Sequence, residues 1–211
     1  MTCDHLRHTL LPQYAVLTVI GRLAFPIFAY MIAEGCHYTR SRTRYLSTMA
    51  LSALLCQAVY FFAMGSLYQC ILVTFSLSIG LIYLLDNARK NPSAGSVTAA
   101  VFGFLGAWFF AEILPQLLPG TDYRIDYGIM GILLPVLIFI GQTKEKKLLL
   151  AAVGLSLLAS MRARVQWFSL AAIPLLALYN GKRGKWKLKY LFYIYYPLHL
   201  VILHSLKMLL Q

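Results

Sequence analysis

The chain consists of apolar runs joined by short polar connections. The runs cover residues 15–36, 46–64, 67–86, 96–118, 127–141, 148–161, 165–180 and 190–210. About 20 apolar residues let a helix cross the hydrocarbon core of a bilayer, and a short or re-entrant helix needs fewer. The pattern therefore predicts an all-α, polytopic membrane protein with about eight membrane segments. Because the connections leave no room for a soluble domain, residues 1–211 are predicted to form a single transmembrane domain.

Composition supports this fold class and excludes others. Hydrophobic residues make up 60% of the chain and charged residues 12%, whereas soluble domains carry about 25% charged residues. A chain this apolar cannot cover a water-facing surface with polar groups, so a soluble enzyme, a disordered chain and a disulfide scaffold are excluded. The four cysteines lack the spacing of metal ligands, and no metal site is predicted.

Basic residues outnumber acidic ones by 19 to 7, and their positions predict the orientation of the chain. Most of them lie in alternate connections, at residues 37–45, 87–95, 142–147 and 181–189. An excess of Lys and Arg is typical of cytoplasmic loops. These connections are therefore predicted to be cytoplasmic, with residue 15 and the C-terminus outside. Because orientation in a lipid bilayer accounts for the positive charge, no nucleic-acid partner is inferred.

The segments 148–161 and 165–180 are short, and two arginines, Arg162 and Arg164, lie in the turn between them. Two tilted short spans would place this turn outside, and this is the alternative we favour. A re-entrant hairpin that enters and leaves from the cytoplasm fits the same loop charges. In that case the two arginines would lie deep in the protein, where they could hold an anion.

Arg22 and Glu34 lie within the first long apolar run. Inserting a charged side chain into a membrane costs free energy, so each of the two is expected to have a specific role. Their spacing corresponds to about 120° around a helix and roughly 18 Å along it, so they cannot pair with each other. Each must find a partner on another helix or line a hydrated cavity. The structural alternatives are an ion pair of Glu34 with Arg40 or Lys189, and an Arg22 that extends to the outer headgroups.

Two histidines are candidate general bases. An imidazole titrates near neutral pH and can take a proton from an attacking amine or hydroxyl. His5 follows Asp4, but neighbours on a helix point about 100° apart, so adjacency alone does not orient the ring. His199 lies two residues after Pro197, where the backbone is opened and a polar group can face a cavity. The alternative for each histidine is a hydrogen-bonded interior residue without a catalytic role.

The densest basic stretch lies before the last apolar run and includes Lys182, Arg183, Lys185 and Lys189. Beside a cytoplasmic membrane surface, such a cluster is typical of anionic lipid binding. The same cations and the neighbouring backbone N–H groups also suit the phosphates of a diphosphate-bearing cosubstrate that arrives from the cytosol. Composition leaves both alternatives open.

Several stretches resemble the TraX family of membrane acetyltransferases. They are residues 20–35, 38–40, 126–128, 166–184 and 189–199. The resemblance spans nearly the whole chain, although residues 86–120 match in hydropathy alone. It implies a multi-pass protein of the bacterial inner membrane that transfers an acetyl group from acetyl-CoA to the N-terminal amine of a pilin subunit. An unknown small-molecule amine stays open as the acceptor, and no tightly bound cofactor is implied.

The resemblance also implies roles for individual residues. The family helix that precedes the first long span ends in an Asp-His pair, and Asp4 and His5 match it. Arg22, Glu34 and His199 match further motif positions. One departure is that the family helix extends many residues before the pair, whereas here Met1-Thr-Cys precede it. Either the start lies at an internal Met, or the helix is truncated and catalysis is in doubt.

These expectations combine into one mechanism. Acetyl-CoA docks from the cytoplasm on residues 182–189, helped by Arg162 and Arg164 if their turn is re-entrant. His5 or His199 then removes a proton from the acceptor amine, and Arg22 stabilises the developing oxyanion. The alternatives are a transporter or channel, in which the buried charges line a path, and an inactive structural homologue.

Overall fold

The computed structural model describes residues 2–11, 13–181 and 189–210, and most of these residues are helical. The all-α class is therefore confirmed for the described part of the chain. The α-helices in chain order are α1 Thr2–Thr9, α2 Ala15–Arg22, α3 Ala24–Tyr38, α4 Arg42–Met64, α5 Ile71–Lys90, α6 Ala94–Trp108, α7 Leu114–Leu117, α8 Gly128–Ile140, α9 Lys144–Ser160, α10 Ala172–Ala177 and α11 Lys189–Leu210. A π-helical turn, Phe109–Ile113, joins α6 to α7, and a 3-10 helix, Arg164–Ala171, precedes α10.

The number of membrane segments requires a correction. Among the described residues, four helical stretches are long and apolar enough to cross a membrane. They are Ala15–Tyr38, Arg42–Phe62, Ile71–Lys90 and Ala94–Leu117. Two other apolar stretches, Gly128–Ile140 and Arg164–Ala177, are shorter. Gly128–Ile140 extends roughly 20 Å at 1.5 Å per residue, and Arg164–Ala177, whose 3-10 part rises about 2.0 Å per residue, extends roughly 25 Å. Both are shorter than the hydrocarbon core of about 30 Å. The expected count of about eight segments is therefore not supported, although every predicted run corresponds to helical structure.

The helix α3 lies in the interior and packs against α5 and α8. Its buried residues include Phe25, Ala29 and Ala33, which recur every four positions and therefore share one helix face. The helix α5 packs against α3, α4, α6 and α8. The helix α6 lies at the periphery, where Ala107 is its buried residue among exposed phenylalanines and leucines. The helices α3, α5 and α8 thus pack against one another, and the shorter segments lie around them.

The first predicted apolar run forms one nearly continuous helix. Leu23, between α2 and α3, keeps right-handed helical dihedrals, and its N–H donates to the carbonyl of Ile20 at 3.2 Å. Pro26 follows in the first turn of α3, where its missing N–H is tolerated. Arg22 and Glu34 therefore lie toward opposite ends of the 24-residue span Ala15–Tyr38, as their spacing predicted.

The segments predicted at 148–161 and 165–180 form a helical hairpin. The helix α9 packs against the returning 3-10 helix and α10. Arg162 and Arg164 are both exposed at the surface of the protein, and the choice between two short spans and a re-entrant hairpin stays a prediction. Lys182, Arg183 and Lys185 lie outside the described residues. For Lys189, the description is limited to its backbone position at the start of α11.

Candidate active site

A cavity of about 550 Å³ opens at one end of the helix bundle. Its walls come from α1, the start of the Ala15–Tyr38 span, the connection between α4 and α5, residues 122–127, and the turn into the 3-10 helix. The charged and titratable side chains that line it include Asp4, His5, Arg22, Asp122, Asp126 and Arg162. Four of these six are the sequence-predicted residues Asp4, His5, Arg22 and Arg162.

A glycine allows α1 to reach this cavity. A Cβ atom added to Gly21 would lie 2.7 Å from the Cβ of Asp4, well inside van der Waals contact. Any other residue at position 21 would therefore push α1 away from α2. Because Gly21 precedes Arg22, the same close approach brings the Asp4 carboxylate to the Arg22 guanidinium, 3.4 Å away.

Arg22 joins three separate segments of the chain. Its Nη2 donates to Asp4 at 3.4 Å, while its Nη1 donates to the Tyr127 hydroxyl and to Oε1 of Gln166, both at 3.3 Å. All three contacts are long for charge-assisted hydrogen bonds, which are usually about 2.7–2.9 Å. The Arg22 Nε is buried and has no hydrogen-bond partner within the described part of the structure. Arg22 thus has a partner on another helix, as the sequence analysis required, but its bonding is incomplete.

The two histidines lie next to each other although they come from opposite ends of the chain. The ring centroids of His5 and His199 are 5.3 Å apart at an interplanar angle of 62°. The ring of Tyr196 lies within 6.2 Å of His5 and 5.2 Å of His199. His5 lines the cavity, whereas His199 lies behind it and is 5% exposed.

His199 has one nitrogen engaged and one available. Its Nδ1 is 3.0 Å from the carbonyl oxygen of Tyr195, which makes Nδ1–H the donor. With that tautomer, Nε2 is an unprotonated acceptor, and it has no hydrogen-bond partner among the residues described. An imidazole in this state can accept a proton, which is what a general base does.

The loop before α8 forms another wall of the cavity, and its backbone is strained. Tyr127 and Gly128 both have left-handed dihedrals, with φ of 61° and 57°. This conformation costs a non-glycine residue of order 1–3 kcal/mol, and it persists where the surroundings enforce it. Here the Tyr127 ring stacks on Phe25 with centroids 3.9 Å apart. The stacking holds the Tyr127 hydroxyl toward Arg22.

Asp126 is a second carboxylate in this wall. Its Oδ1 accepts a hydrogen bond from the Tyr68 hydroxyl at 2.7 Å. Burial raises the pKa of Asp126 to about 6, although the Tyr68 hydrogen bond and the charges of Arg22 and Arg162 lower it. Asp126 therefore titrates in a range in which a carboxyl group can exchange protons near neutral pH.

Asp122 links the two connections that border the opening of the cavity. It accepts hydrogen bonds from the Ser66 hydroxyl and, at 2.8 Å, from the backbone N–H of Leu67. These bonds hold the pKa of Asp122 below its usual range. A neighbouring bridge between Gln69 and Ile125 joins the same two connections through backbone hydrogen bonds. Asp122 therefore presents a negative charge where a ligand would enter.

A second cavity of about 660 Å³ shares Tyr127 and Arg162 with the first. Glu112 lines it from the π-helical turn, and its Oε1 accepts a hydrogen bond from the backbone N–H of Ile129 at 3.0 Å. Glu112 and Arg162 both approach Gly128, where an added Cβ would meet them at 2.9 and 3.2 Å. A single layer of side chains thus separates the two cavities.

Glu34 lies away from this site. Its carboxylate pairs with Lys147 at the start of α9, and Glu34 is 7% exposed. The partner is thus not the expected Arg40 but a residue of another loop that was also predicted to be cytoplasmic. The side chain of the other expected partner, Lys189, lies outside the described part of the structure. Arg164 is exposed and does not belong to the residues that line the cavity. The structure therefore gathers Asp4, His5, Arg22 and Arg162, with His199 behind them, and separates Glu34.

The sequence analysis assigned no role to Gln166, Tyr127, Asp126 or Glu112. The resemblance included residues 126–128 and 166, and this was the signal for three of them. Glu112 carried a weaker signal, as an acidic residue within an apolar run. Among the described residues, no group of three His, Cys, Asp or Glu side chains is arranged to hold a metal ion.

Comparisons with known proteins extend over these same segments. A family model described as TraX protein matches residues 1–207. A relative from Dichelobacter nodosus, named "Probable fimbrial assembly protein FimC, serogroup H1", is 26% identical over 224 residues, which cover 94% of this chain and 86% of the relative. No solved structure matches the chain. The family match includes the segments that line the cavity as well as the long spans.

Proposed function

Since the chain belongs to the TraX family, as its motifs predicted, we propose that it acts in the biogenesis of pili or fimbriae by acetylating an amine. Acetyl-CoA is the donor, and the N-terminal amine of a pilin subunit is the first acceptor to test. The main support is that His5 and Arg22 line one cavity and that His199, from the other end of the sequence, lies behind it against the ring of His5. A plain bundle of apolar helices would have no reason to gather them.

The reaction divides into three steps. His5 or His199 takes a proton from the acceptor, so that its neutral nitrogen attacks the thioester carbon and forms a C–N bond. The carbonyl oxygen then carries a negative charge, which the Arg22 guanidinium stabilises. The intermediate collapses, the C–S bond breaks, and the CoA thiolate leaves with the proton held by the base, while the acylated nitrogen releases its remaining extra proton to water. The products are the N-acetylated amine, free CoA and one proton.

The charge pattern supports opposite routes for the two substrates. The cavity lies among connections that the loop charges predict to be outside, while residues 37–45, 87–95, 142–147 and 181–189 are predicted to face the cytoplasm. His199 is ten residues beyond Lys189 on α11, which corresponds to roughly 15 Å along the helix. A thioester that docks on the basic run can therefore reach the two histidines from the cytoplasmic side of a bacterial inner membrane, while the amine enters past Asp122.

The acidic mouth suits this acceptor. A terminal α-amino group has a pKa of about 8, so the amine arrives mostly as an ammonium ion. Asp122 and Asp126 would attract that cation toward the cavity. The amine must then lose a proton before it attacks, which is the step that requires the histidines. A neutral or anionic acceptor would gain nothing from these carboxylates.

A second candidate is a non-catalytic role in fimbrial assembly, because the relative from Dichelobacter nodosus is named for assembly and not for an enzymatic activity. The cavity would then bind a segment of another protein without turnover. This candidate explains the acidic mouth, but it gives no reason for the open nitrogen of His199 beside His5.

The test is acetyl transfer by the purified chain in lipid nanodiscs. It is supplied with labelled acetyl-CoA and a peptide that carries the N-terminus of a pilin from the same host. We expect label on the peptide, located at the α-amine by mass spectrometry, and no label on a matched peptide with a blocked N-terminus. If the chain binds the peptide but transfers no label to it or to a panel of small amines, the enzymatic proposal is wrong and the assembly role is favoured.

Sealed vesicles of both orientations test the two routes. Acetyl-CoA added outside inverted vesicles, whose cytoplasmic face is exposed, should support transfer to peptide enclosed in the lumen. The same donor added outside right-side-out vesicles should not. The opposite result would contradict the predicted orientation without affecting the proposed chemistry.

A further inference from the structure

The 3-10 helix Arg164–Ala171 brings two polar side chains into the interior. It is eight residues long, whereas such helices seldom exceed about four residues. With three residues per turn, positions 166 and 169 share one face. Gln166 and Ser169 are 2% and 0% exposed, while Trp167 and Phe168 between them are exposed. This unusual element therefore directs two polar groups away from its apolar surface.

The Gln166 amide is hydrogen-bonded through its oxygen but not through its nitrogen. Its Oε1 accepts a hydrogen bond from Nη1 of Arg22 at 3.3 Å. Its Nε2 is buried and has no hydrogen-bond partner within residues 2–11, 13–181 and 189–210. Rotating the amide would point its N–H groups at the N–H groups of Arg22, so the guanidinium determines the orientation.

This arrangement is costly for a protein without a ligand. Leaving a buried donor unsatisfied costs about 1–3 kcal/mol. Gln166 lines the 550 Å³ cavity together with Arg22 and His5. A bound molecule with a hydrogen-bond acceptor atom would supply the hydrogen bond that Nε2 of Gln166 lacks. That atom would lie close to the acceptor amine, which must be deprotonated.

We propose that the Gln166 amide donates a hydrogen bond to the carbonyl oxygen of the thioester, and that Arg22 holds this amide in place. The inference rests on the proposed acetyl transfer and deepens it. When the amine attacks and the C=O bond becomes a C–O⁻ single bond, the negative charge strengthens the bond from the amide. Gln166 and Arg22 then form a two-part oxyanion site, in which a neutral donor contacts the oxygen and a cation stands behind it.

A purely structural role predicts a different outcome for one substitution. If Gln166 only braces Arg22, then Gln166→Glu should be harmless, since a carboxylate accepts the same hydrogen bond and adds an ion pair. If the N–H group acts on the substrate, Gln166→Glu removes the donor and places a negative charge beside the developing oxyanion. The substitution therefore separates bracing from catalysis without removing the contact to Arg22.

The experiment measures kcat and KM of the full chain in nanodiscs for acetyl-CoA and the pilin peptide. We expect Gln166→Glu to lower kcat by about 100-fold, the usual effect of losing one oxyanion donor, while KM for acetyl-CoA changes little. The melting temperature should stay the same or rise. Gln142→Ala is the matched control, because Gln142 is exposed in the connection before α9 and lies outside the cavity. It should have no effect.

A second donor substrate shows whether the amide contacts the carbonyl oxygen. In dithioacetyl-CoA this oxygen is replaced by sulfur, which accepts hydrogen bonds poorly. The ratio of the oxygen to the sulfur rate should fall about tenfold in Gln166→Glu relative to the wild type, and it should be unchanged in Gln142→Ala.

Each result decides the matter. A wild-type rate in Gln166→Glu overturns the inference and leaves the proposed function intact. A lower rate with an unchanged oxygen-to-sulfur ratio also overturns it, because Gln166 would then act on folding or on Arg22 alone. If the wild-type chain itself transfers no acetyl group, both the proposed function and this inference fail.

Discussion

The two charged side chains of the Ala15–Tyr38 span have opposite surroundings. Near one end, Glu34 is buried and pairs with Lys147, and neither belongs to the lining of the two cavities described above. Near the other end, Arg22 has three partners at 3.3–3.4 Å and borders a cavity of about 550 Å³. The two side chains lie on one helix, twelve residues apart, and were equally conspicuous in the sequence.

The difference shows how a charge that a close partner satisfies differs from a charge at the edge of a candidate site. A buried charge with a close partner has already regained the interactions that it lost on leaving water, and its role is to hold α3 against α9. Beside the cavity, in contrast, Nε of Arg22 and Nε2 of Gln166 have no hydrogen-bond partner within the described residues, and the same is true of Nε2 of His199 behind it. Proteins tolerate such incomplete bonding mainly where a ligand completes it.

The largest effect is expected from removing a candidate base at the Arg22 end. His5→Ala should lower acetyl transfer by about a thousand-fold, within the range that general base catalysis contributes. His199→Ala should produce a loss of the same order if the two rings work together. The measurement is initial rate per folded molecule in nanodiscs, with membrane insertion checked by proteolysis.

His37→Ala is the matched control for these substitutions. His37 lies three residues after Glu34, and its ring stacks on Phe139 with centroids 4.2 Å apart. It is therefore a histidine at the other end of the bundle that packs on an aromatic ring, although it is exposed. Normal turnover in both His5→Ala and His199→Ala would eliminate the two as bases, and loss of turnover in His37→Ala would mean that the assay reports on folding.

The next effect concerns stability at the Glu34 end. Lys147→Ala leaves the Glu34 carboxylate buried without its partner, which should lower the free energy of unfolding by about 3 kcal/mol. Turnover per folded molecule should stay near the wild-type value. Lys146→Ala, at an exposed neighbouring position, should change neither quantity. A loss of turnover without a loss of stability in Lys147→Ala would place Glu34 in the catalytic machinery after all.

The smallest effect is a pH dependence at the Arg22 end. The pKa of Asp126 is raised to about 6 in the folded chain, while an unfolded Asp has a pKa of about 3.9. The folded state thus binds the proton more tightly, so the contribution of Asp126 to stability is greatest below pH 4 and is lost as the pH rises through about 6. Between pH 4 and pH 6 the change is about 2 kcal/mol.

Asp126→Asn keeps an oxygen that can accept the hydrogen bond from Tyr68, but it does not titrate. This variant should lose that part of the pH dependence between pH 4 and 6 in thermal unfolding. Asp122→Asn is the comparison, because the pKa of Asp122 is lowered and its contribution runs in the opposite direction. An unaltered pH profile in Asp126→Asn would contradict the raised pKa.

Much of the fold followed from the sequence because apolar runs bounded by charged or turn residues predict helices directly. The predicted run 127–141 corresponds to Gly128–Ile140, and the run 67–86 overlaps Ile71–Lys90. The count of membrane segments could not be predicted in the same way. An apolar run does not show where its helix begins and ends, so the sequence alone does not tell whether that helix is long enough to cross the bilayer. The π-helical turn and the 3-10 helix have no periodic signal that would predict them.

The site was predictable where motifs carried it. Arg22, His5 and His199 were singled out by their chemistry, and the resemblance matched them and Asp4 to motif positions. Asp4, His5 and Arg22 line one cavity in the structure, with His199 behind it. The partner of Glu34 was not predictable, because several basic loops were equally plausible and packing of α3 on α9 selects among them. The role of Gln166 depends on which of its atoms lacks a bond, and coordinates alone reveal that.

The position of Arg22 has a consequence for how the protein responds to its surroundings. Arg22 belongs to a long span, but its three partners lie on α1, on the loop before α8 and on the 3-10 helix, none of which is among the four long spans. A long span adapts to bilayer thickness by tilting, whereas short peripheral segments need not follow. Lipids with longer or shorter acyl chains should therefore change the geometry around the guanidinium, which makes the rate of the protein sensitive to the membrane in which it works.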